Sequence, residues 1–153
     1  MTEVNKPIIG RSCELTFVGF SNEKVPAKID TGAYHSSVHA ENIYVDDNDV
    51  LHFTLFGGHP VTKELAAETY AEKYKTAEIE NSFGDREVRY EVELEVEIDG
   101  RRYKTPFTLA NRSKKIYPVL LGRLLLNHNF LVDTAQTTVD RKQLKQKFEE
   151  GRS

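Results

Sequence analysis

The stretch Ala-Lys-Ile-Asp-Thr-Gly-Ala, residues 27–33, places a carboxylate directly after an apolar segment and directly before a glycine. We predict a strand over residues 25–29 that ends in a sharp turn at Asp30. A strand end is a rigid support, Thr31 can tie the turn to a partner backbone through its hydroxyl, and Gly32 allows another backbone or a substrate to come close. Because Asp-Thr-Gly also occurs in ordinary turns, the tripeptide alone does not distinguish a catalytic loop from a plain turn.

Alternating apolar and polar residues predict that most of the chain forms β-strands. The clearest segment is residues 88–98, where apolar residues share one face and Glu91, Glu93, Glu95 and Glu97 share the other. A straight row of glutamates does not gather its oxygens around one ion, so we interpret it as a solvated face and not as a metal site. The following Asp99-Gly100 predicts a tight turn into a return strand over residues 102–109.

The remaining segments are shorter. Further strands are predicted at residues 13–20, 43–45, 51–56, 118–122 and 130–132, and one or two helical turns at residues 123–127. Residues 62–75 fit either a helix or a strand. Residues 141–150 are charged and lack a continuous apolar stripe, which predicts a frayed helix or a loose tail. We therefore place one domain at residues 7–135 and expect flexible termini at residues 1–6 and 140–153.

Composition narrows the classes of function. The chain has 153 residues, of which 39% are hydrophobic and 29% charged, and this fits one globular domain. Its formal charge of −3 leaves no basic excess, so we expect no nucleic-acid partner. The first twenty residues hold no apolar run long enough for a signal peptide or a membrane span. We expect a cytoplasmic protein without a membrane partner, and the single cysteine, Cys13, fits that compartment.

Three motifs, in order along the chain, resemble the retropepsin family of aspartic peptidases. They are the Asp-Thr-Gly loop at 30–32, a Ser-Phe-Gly turn at 82–84 followed by Arg86 or Arg89, and Val-Leu-Leu-Gly-Arg at 119–123. A closer resemblance is to bacterial retropepsin-like proteins traditionally labelled ATP-dependent zinc proteases. Their signature reads approximately Ala-Arg-Ile-Asp-Thr-Gly-Ala-x-Thr-Ser-Ser-Leu-His-Ala. This chain matches it at Ala27, residues 29–33, Ser36, Ser37, His39 and Ala40, and it departs from it with His35 in place of the usual threonine.

The resemblance implies an all-β, retropepsin-like closed β-barrel subunit with a short helix after the Leu-Leu-Gly segment. It implies an aspartic endopeptidase that acts on a peptide or protein substrate. The implied catalytic residue is Asp30, with Thr31, Gly32 and Ala33 in the catalytic loop, Ser82, Phe83, Gly84 and Arg86 in a flap over the substrate, and Leu120, Leu121, Gly122 and Arg123 in the segment that supports the loop.

One Asp-Thr-Gly per chain implies a homodimer, in which each subunit contributes one aspartate. The later Asp133-Thr134 is followed by Ala135 and not by glycine, so the chain holds no second copy of the loop. Two carboxyl groups that close together cannot both ionise cheaply, and they share a proton as a pair.

The metal and the nucleotide in the traditional label lack support in the residues. His35 and His39 are four apart, but Ser36 stands where a zinc peptidase helix carries its glutamate, and an extended chain would splay the two imidazoles apart. No phosphate-binding Gly-x-x-x-x-Gly-Lys motif is present. We expect no metal and no cofactor. Two alternatives stay open: a peptide-binding or regulatory module with little turnover, for which Tyr34 and His35 leave room, and a metal-dependent hydrolase.

Overall fold

Strands dominate the computed structural model, which describes residues 5–81 and 83–152. In chain order they are β1 (Ile8–Ile9), β2 (Ser12–Phe17), β3 (Val25–Ile29), β4 (Ser36–Val45), β5 (Leu51–Leu55), β6 (Ala67–Ala71), β7 (Lys75–Glu80), β8 (Arg86–Ile98), β9 (Arg101–Ala110), β10 (Val119–Leu121) and β11 (Leu131–Val132). Two helices, α1 (Arg123–Leu126) and α2 (Arg141–Gly151), and a 3-10 turn at Lys63–Leu65 complete the described elements.

Six of the strands close into a barrel in the order β10, β3, β2, β8, β9 and β4. Strand β10 closes the ring because it pairs in parallel with β3 and antiparallel with β4. Strands β5 and β6 extend the sheet beyond β4, and β7 pairs with the first half of β8. The predicted all-β closed barrel, with a short helix directly after the Leu-Leu-Gly segment, is confirmed.

Side-chain alternation fixes which face of each strand enters the barrel. In β3, Val25, Ala27 and Ile29 are buried while Lys28 points outward. Three phenylalanine rings fill the centre: Phe17 lies 5.2 Å from Phe56 and 5.4 Å from Phe107, measured between centroids. Such ring pairs contribute about 0.5–1.5 kcal/mol beyond the burial of their area.

Two features of β8 and its neighbours differ from the sequence analysis. The solvated face predicted for the glutamates of β8 is wrong at Glu91, which is 7% exposed and whose carboxylate contacts the His35 ring. Residues 62–75, left open between helix and strand, form the 3-10 turn, then β6, and then the start of β7. The predicted tight turn is present, with positive φ angles at Asp99 and Gly100.

The C-terminal segment is a helix packed on the domain, so the expected flexible tail at residues 140–153 is corrected over residues 141–151. The side chain of Asp140 caps the helix by accepting hydrogen bonds from the amides of Lys142 and Gln143. Leu144 and Phe148, one turn apart, are buried against Val61 and Val139. The prediction failed because it required a continuous apolar stripe along the helix. Two apolar residues four positions apart are enough to pack on a small satellite cluster.

No helix among residues 5–81 and 83–152 is long and apolar enough to cross a membrane.

Candidate active site

The carboxylate of Asp30 lies at the end of β3, held by backbone contacts on both sides. The Asp30 amide donates to the carbonyl of Leu121 at 2.9 Å, which continues the β3–β10 pairing by one residue. The amide of Gly32 donates to Asp30 Oδ1 at 2.9 Å, and the amide of Ala33 donates to the Asp30 carbonyl at 3.2 Å. One carboxylate oxygen is therefore fixed by the loop itself, while Oδ2 makes no such contact within the described chain.

Residues 121–124 pass directly behind this loop, as the resemblance implies. The amides of Arg123 and Leu124 donate to the carbonyls of Ala33 and Tyr34 at 2.8 and 3.0 Å. The Arg123 guanidinium donates to the Thr31 carbonyl at 3.0 Å. All three bonds are accepted by backbone carbonyls of the loop, and one of them comes from a charged donor. They therefore fix the loop's backbone without depending on the loop's own side chains.

Gly122 is the closest point between the two segments. Its amide donates to Ser36 Oγ at 3.0 Å, and a Cβ atom at this position would lie 2.5 Å from the carbonyl oxygen of His35. Any side chain here would push the catalytic loop away from β10. The glycine is required for close approach and not for a special backbone angle.

Thr31 is exposed, and its hydroxyl makes no hydrogen bond within the described part of the chain. The predicted hydrogen bond from the Thr31 hydroxyl to a partner backbone does not form within the described chain, so it stays a prediction.

Arg112 lies close enough to Asp30 for their charges to interact, and Arg89 lies close enough to Arg112 to do the same. Burial lowers the pKa of Arg112 to about 10, with a further lowering from the charge of Arg89 and an opposing rise from the charge of Asp30. Arg112 still carries its charge at neutral pH. Arg89 donates to Ser37 Oγ at 3.4 Å and pairs with Glu87 at 2.8 Å.

Sequence reasoning missed Arg112. The one available signal is its position just after β9, whose last four residues are buried. In contrast, the choice between Arg86 and Arg89 near the Ser-Phe-Gly turn has a structural answer. Arg86 is exposed and pairs with Glu78 at 3.1 Å across the β7–β8 hairpin, whereas Arg89 is more buried and donates to Ser37 Oγ on β4.

The β7–β8 hairpin carries the turn that the sequence assigns to a flap. Asn81 organises the turn: its side-chain oxygen accepts from the amides of Phe83 and Asp85, and its carbonyl accepts from the amide of Gly84. As predicted, Gly84 has a backbone angle that other residues resist, with φ of 82°. The Phe83 side chain is 89% exposed at the tip. Ser82 lies outside the described residues.

His35, the residue that departs from the family signature, is hydrogen-bonded to buried Glu91. The distance from His35 Nδ1 to Glu91 Oε2 is 3.2 Å. Tyr34 beside it is 52% exposed, and the Arg123 guanidinium lies 5.8 Å from the centre of its ring. These side chains form one wall beside the catalytic loop.

The buried histidines serve the fold through both ring nitrogens. His39 Nε2 bonds the Gly57 carbonyl at 2.6 Å while Nδ1 accepts from the Arg112 amide. His59 Nε2 bonds the Lys115 carbonyl at 2.8 Å while Nδ1 accepts from the Val61 amide. Burial lowers the pKa of both, that of His59 to about 4. With both nitrogens engaged, neither ring has a lone pair free for a metal.

Within residues 5–81 and 83–152, no three side chains of histidine, cysteine, aspartate or glutamate gather at metal-binding distance. Cys13 is buried, and burial raises the pKa of its thiol to about 12, so the reactive thiolate is scarce at neutral pH.

A closed barrel with one Asp-Thr-Gly loop, backed by a Leu-Leu-Gly strand, defines a retropepsin-like protein. Residues 8–143 match the model of the RimB-like family, described as the retropepsin-like aspartic endopeptidase RimB. The chain belongs to this family, and the resemblance seen in the sequence is confirmed.

Relatives with other names share the same segment. Proteins from Shewanella pealeana and Shewanella halifaxensis, each named probable alpha-L-glutamate ligase, are 28% identical over 135 residues. The match covers 87% of this chain, which spans about 30% of the length of those relatives.

A solved structure has the same fold. The crystal structure of Lpg0085, a protein of unknown function (DUF785) from Legionella pneumophila, has a TM-score of 0.68 and 28% identity to this chain. The match covers 87% of this chain and 97% of that one.

Proposed function

We propose that this chain is one subunit of a homodimeric aspartic endopeptidase, in which the Asp30 carboxylates of two subunits meet across a twofold axis. The observation that carries the proposal is the fixed Asp30 loop, one per chain, in a member of a family described as aspartic endopeptidases. The Thr31 hydroxyl, which has no partner inside the described chain, is available to bond the loop of the second subunit.

The mechanism uses a water molecule held between the two carboxyl groups. The ionised Asp30 takes a proton from the water as its oxygen attacks the scissile carbonyl carbon, and the protonated Asp30 of the second subunit hydrogen-bonds the carbonyl oxygen. The tetrahedral intermediate then collapses: the C–N bond breaks and the leaving amine takes a proton from the dyad. Each subunit's hairpin tip at residues 83–85 covers the bound peptide and excludes bulk water.

The substrate class is proposed from the relatives. Because the curated relatives are named as ligases of α-L-glutamate, we propose that the peptidase acts on peptides that contain glutamate chains. The positive charge of Arg112, which interacts with that of Asp30, suits a substrate with carboxylate side chains.

A panel of glutamate-containing and neutral peptides tests the proposal. We expect cleavage that a pepstatin-type transition-state inhibitor suppresses and that exhaustive chelation leaves intact. Loss of cleavage on chelation, with restoration by zinc, would favour a metal-dependent hydrolase instead. Tight peptide binding with no cleavage at any pH would identify a binding module on the same fold.

A further inference from the structure

A cleft of about 590 Å³ lies beside the candidate active site, between the outer face of β3, the loop over residues 111–117 and the segment before α2. Its walls carry six positively charged side chains and no carboxylate. The six are Arg11, Lys28, Arg112, Lys114, Lys115 and Arg141. The other wall residues are neutral, so nothing in the lining offsets this charge.

None of the six cations forms an ion pair within the described residues. Arg11 donates to the backbone carbonyls of Thr134 and Ala135, and Arg112 donates to the carbonyl of Tyr117. The guanidinium of Arg141 lies 5.7 Å from the centre of the Tyr117 ring. Carbonyls and a ring orient these three arginines without forming ion pairs to them.

The basic lining of this cleft contrasts with the chain as a whole, which is slightly acidic. The chain has 24 acidic and 21 basic residues, so six basic side chains in a lining that holds no carboxylate represent a local segregation of charge. Gathering like charges around one cleft costs free energy, and an anionic ligand that enters the cleft recovers it.

The cleft also adjoins the candidate catalytic residue. Ile29 lines it, and Asp30 follows Ile29 directly in the chain. Arg112 belongs to the cleft wall and feels the charge of Asp30. A peptide bound at Asp30 therefore needs to extend only a short distance to place further residues among the six cations.

We propose that this basic cleft is an exosite that binds a carboxylate-rich peptide segment flanking the bond to be cleaved, an inference that rests on the proposed endopeptidase function. A nucleic acid fits less well, because the one aromatic ring in the lining, Tyr117, has Arg141 over one face and is partly buried against the cluster under α2, which disfavours base stacking. Lys28, Lys114 and Lys115 are exposed and form no ion pair within the described residues, and they are the residues that bind the carboxylates of the peptide.

Binding is tested separately from cleavage by using the full chain with Asp30→Asn. Fluorescence anisotropy measures the affinity for labelled hexaglutamate, with hexaglutamine as the neutral probe. The cleft variant is Lys28→Gln/Lys114→Gln/Lys115→Gln. The matched control is Lys142→Gln/Lys145→Gln/Lys147→Gln, which removes the same charge from the exposed side of α2.

We expect hexaglutamate to bind more tightly than hexaglutamine and to weaken with added salt. The cleft variant should lose about tenfold in affinity, since each exposed contact contributes modestly, while the control changes less than twofold. Equal losses in both variants, or no preference for hexaglutamate, would overturn the exosite. A single-stranded RNA probe that binds through the three lysines while hexaglutamate does not would also overturn it.

The two proposals fail in different ways. If the unmodified chain cleaves no peptide but hexaglutamate binding depends on the three lysines, the endopeptidase fails and the anion site stands. If the unmodified chain cleaves glutamate peptides with the same KM as the cleft variant, the endopeptidase stands and the exosite is withdrawn.

Discussion

Gly122 and His35 approach each other so closely that a single carbon atom at Gly122 would displace the loop that carries Asp30. A Cβ atom at Gly122 would lie 2.5 Å from the His35 carbonyl oxygen and 2.8 Å from that of Ala33. Both contacts are with backbone, which cannot rotate away as a side chain would. The position of Asp30 therefore depends on the absence of a side chain about ninety residues later in the sequence.

We predict that Gly122→Ala lowers both stability and turnover. Forcing a methyl group into a packed backbone contact typically costs about 1–3 kcal/mol, and here the strain falls on the loop that carries Asp30. Urea unfolding gives the free energy of unfolding, and peptide cleavage gives turnover. Thr138→Ala, on an exposed loop, is the control, because it adds no atom and strains no backbone contact. A Gly122→Ala protein as stable and active as the control would contradict the close approach.

The dimer is predicted to depend on the Thr31 hydroxyl, which has no partner inside the described chain. Sedimentation velocity over a concentration series should show reversible pairing, since one aspartate per chain makes the shared site twofold. Thr31→Ala should shift this equilibrium toward monomer and lower activity at low protein concentration. Thr138→Ala, on an exposed loop, should do neither. A chain that stays monomeric at every concentration, with activity linear in protein, would rule out the shared site.

The hairpin tip offers a test of the flap. Gly84 has φ of 82°, so Gly84→Val forces a β-branched residue into a backbone region that it strongly disfavours. The strain is confined to an exposed turn, and we expect turnover to fall more than the free energy of unfolding does. Gly84→Asn strains the turn less, because asparagine tolerates positive φ better than valine does, and it should retain more activity. If Gly84→Val cleaves peptide as well as Gly84→Asn, the flap lies elsewhere.

Acid should weaken the fold through His59. Burial lowers the pKa of His59 to about 4, while an unfolded histidine titrates near 6.5. Between these values the unfolded chain binds the extra proton, so stability is full above pH 6.5 and is lost as the pH falls towards 4. The loss is up to about 3 kcal/mol. His59→Gln removes this titration, so its stability should fall less over the same interval than that of the unmodified chain. Identical pH slopes for the two proteins would contradict the assignment.

Sequence reasoning predicted an element correctly where one short segment is enough to determine its structure. Strand β3, the Asp-Thr-Gly turn, the Leu-Leu-Gly strand and the following helix all lie where predicted. It failed where the outcome depends on a distant neighbour. Glu91 keeps the alternation of a solvated face, yet it is buried and its carboxylate contacts the His35 ring.

The basic cleft is a second feature that sequence reasoning missed, because its charged residues are distant from one another in the sequence. Its six cations come from four separate parts of the chain, at residues 11, 28, 112–115 and 141. The net charge of −3 conceals them, and only the pairing of β2 with β3 and the docking of the segment before α2 bring them together. The net charge is an average over the whole chain, so it does not show where basic side chains gather, and the expectation of no nucleic-acid partner stays a prediction.

The most direct test of the proposed chemistry is Asp30→Asn. Asparagine has nearly the same shape as aspartate, and its side-chain oxygen can still accept from the Gly32 amide, which lies 2.9 Å from Asp30 Oδ1. Fold and dimer should therefore persist. The amide cannot take the proton of the attacking water, and positioned acid-base catalysis contributes about 10²–10⁴-fold. Because the change strikes both subunits, turnover should fall by at least that much.

The pH profile separates loss of the dyad from a general loss of activity. In the unmodified protein one proton is shared between the two carboxyl groups, so activity should be highest under acidic to mildly acidic conditions and fall as the second carboxyl ionises. Residual cleavage by the Asp30→Asn protein should lack this dependence. Circular dichroism and sedimentation show whether the variant is folded and paired. A folded, dimeric Asp30→Asn protein that cleaves peptide at the unmodified rate would place the chemistry at other residues, and the assignment as an aspartic peptidase would fall with it.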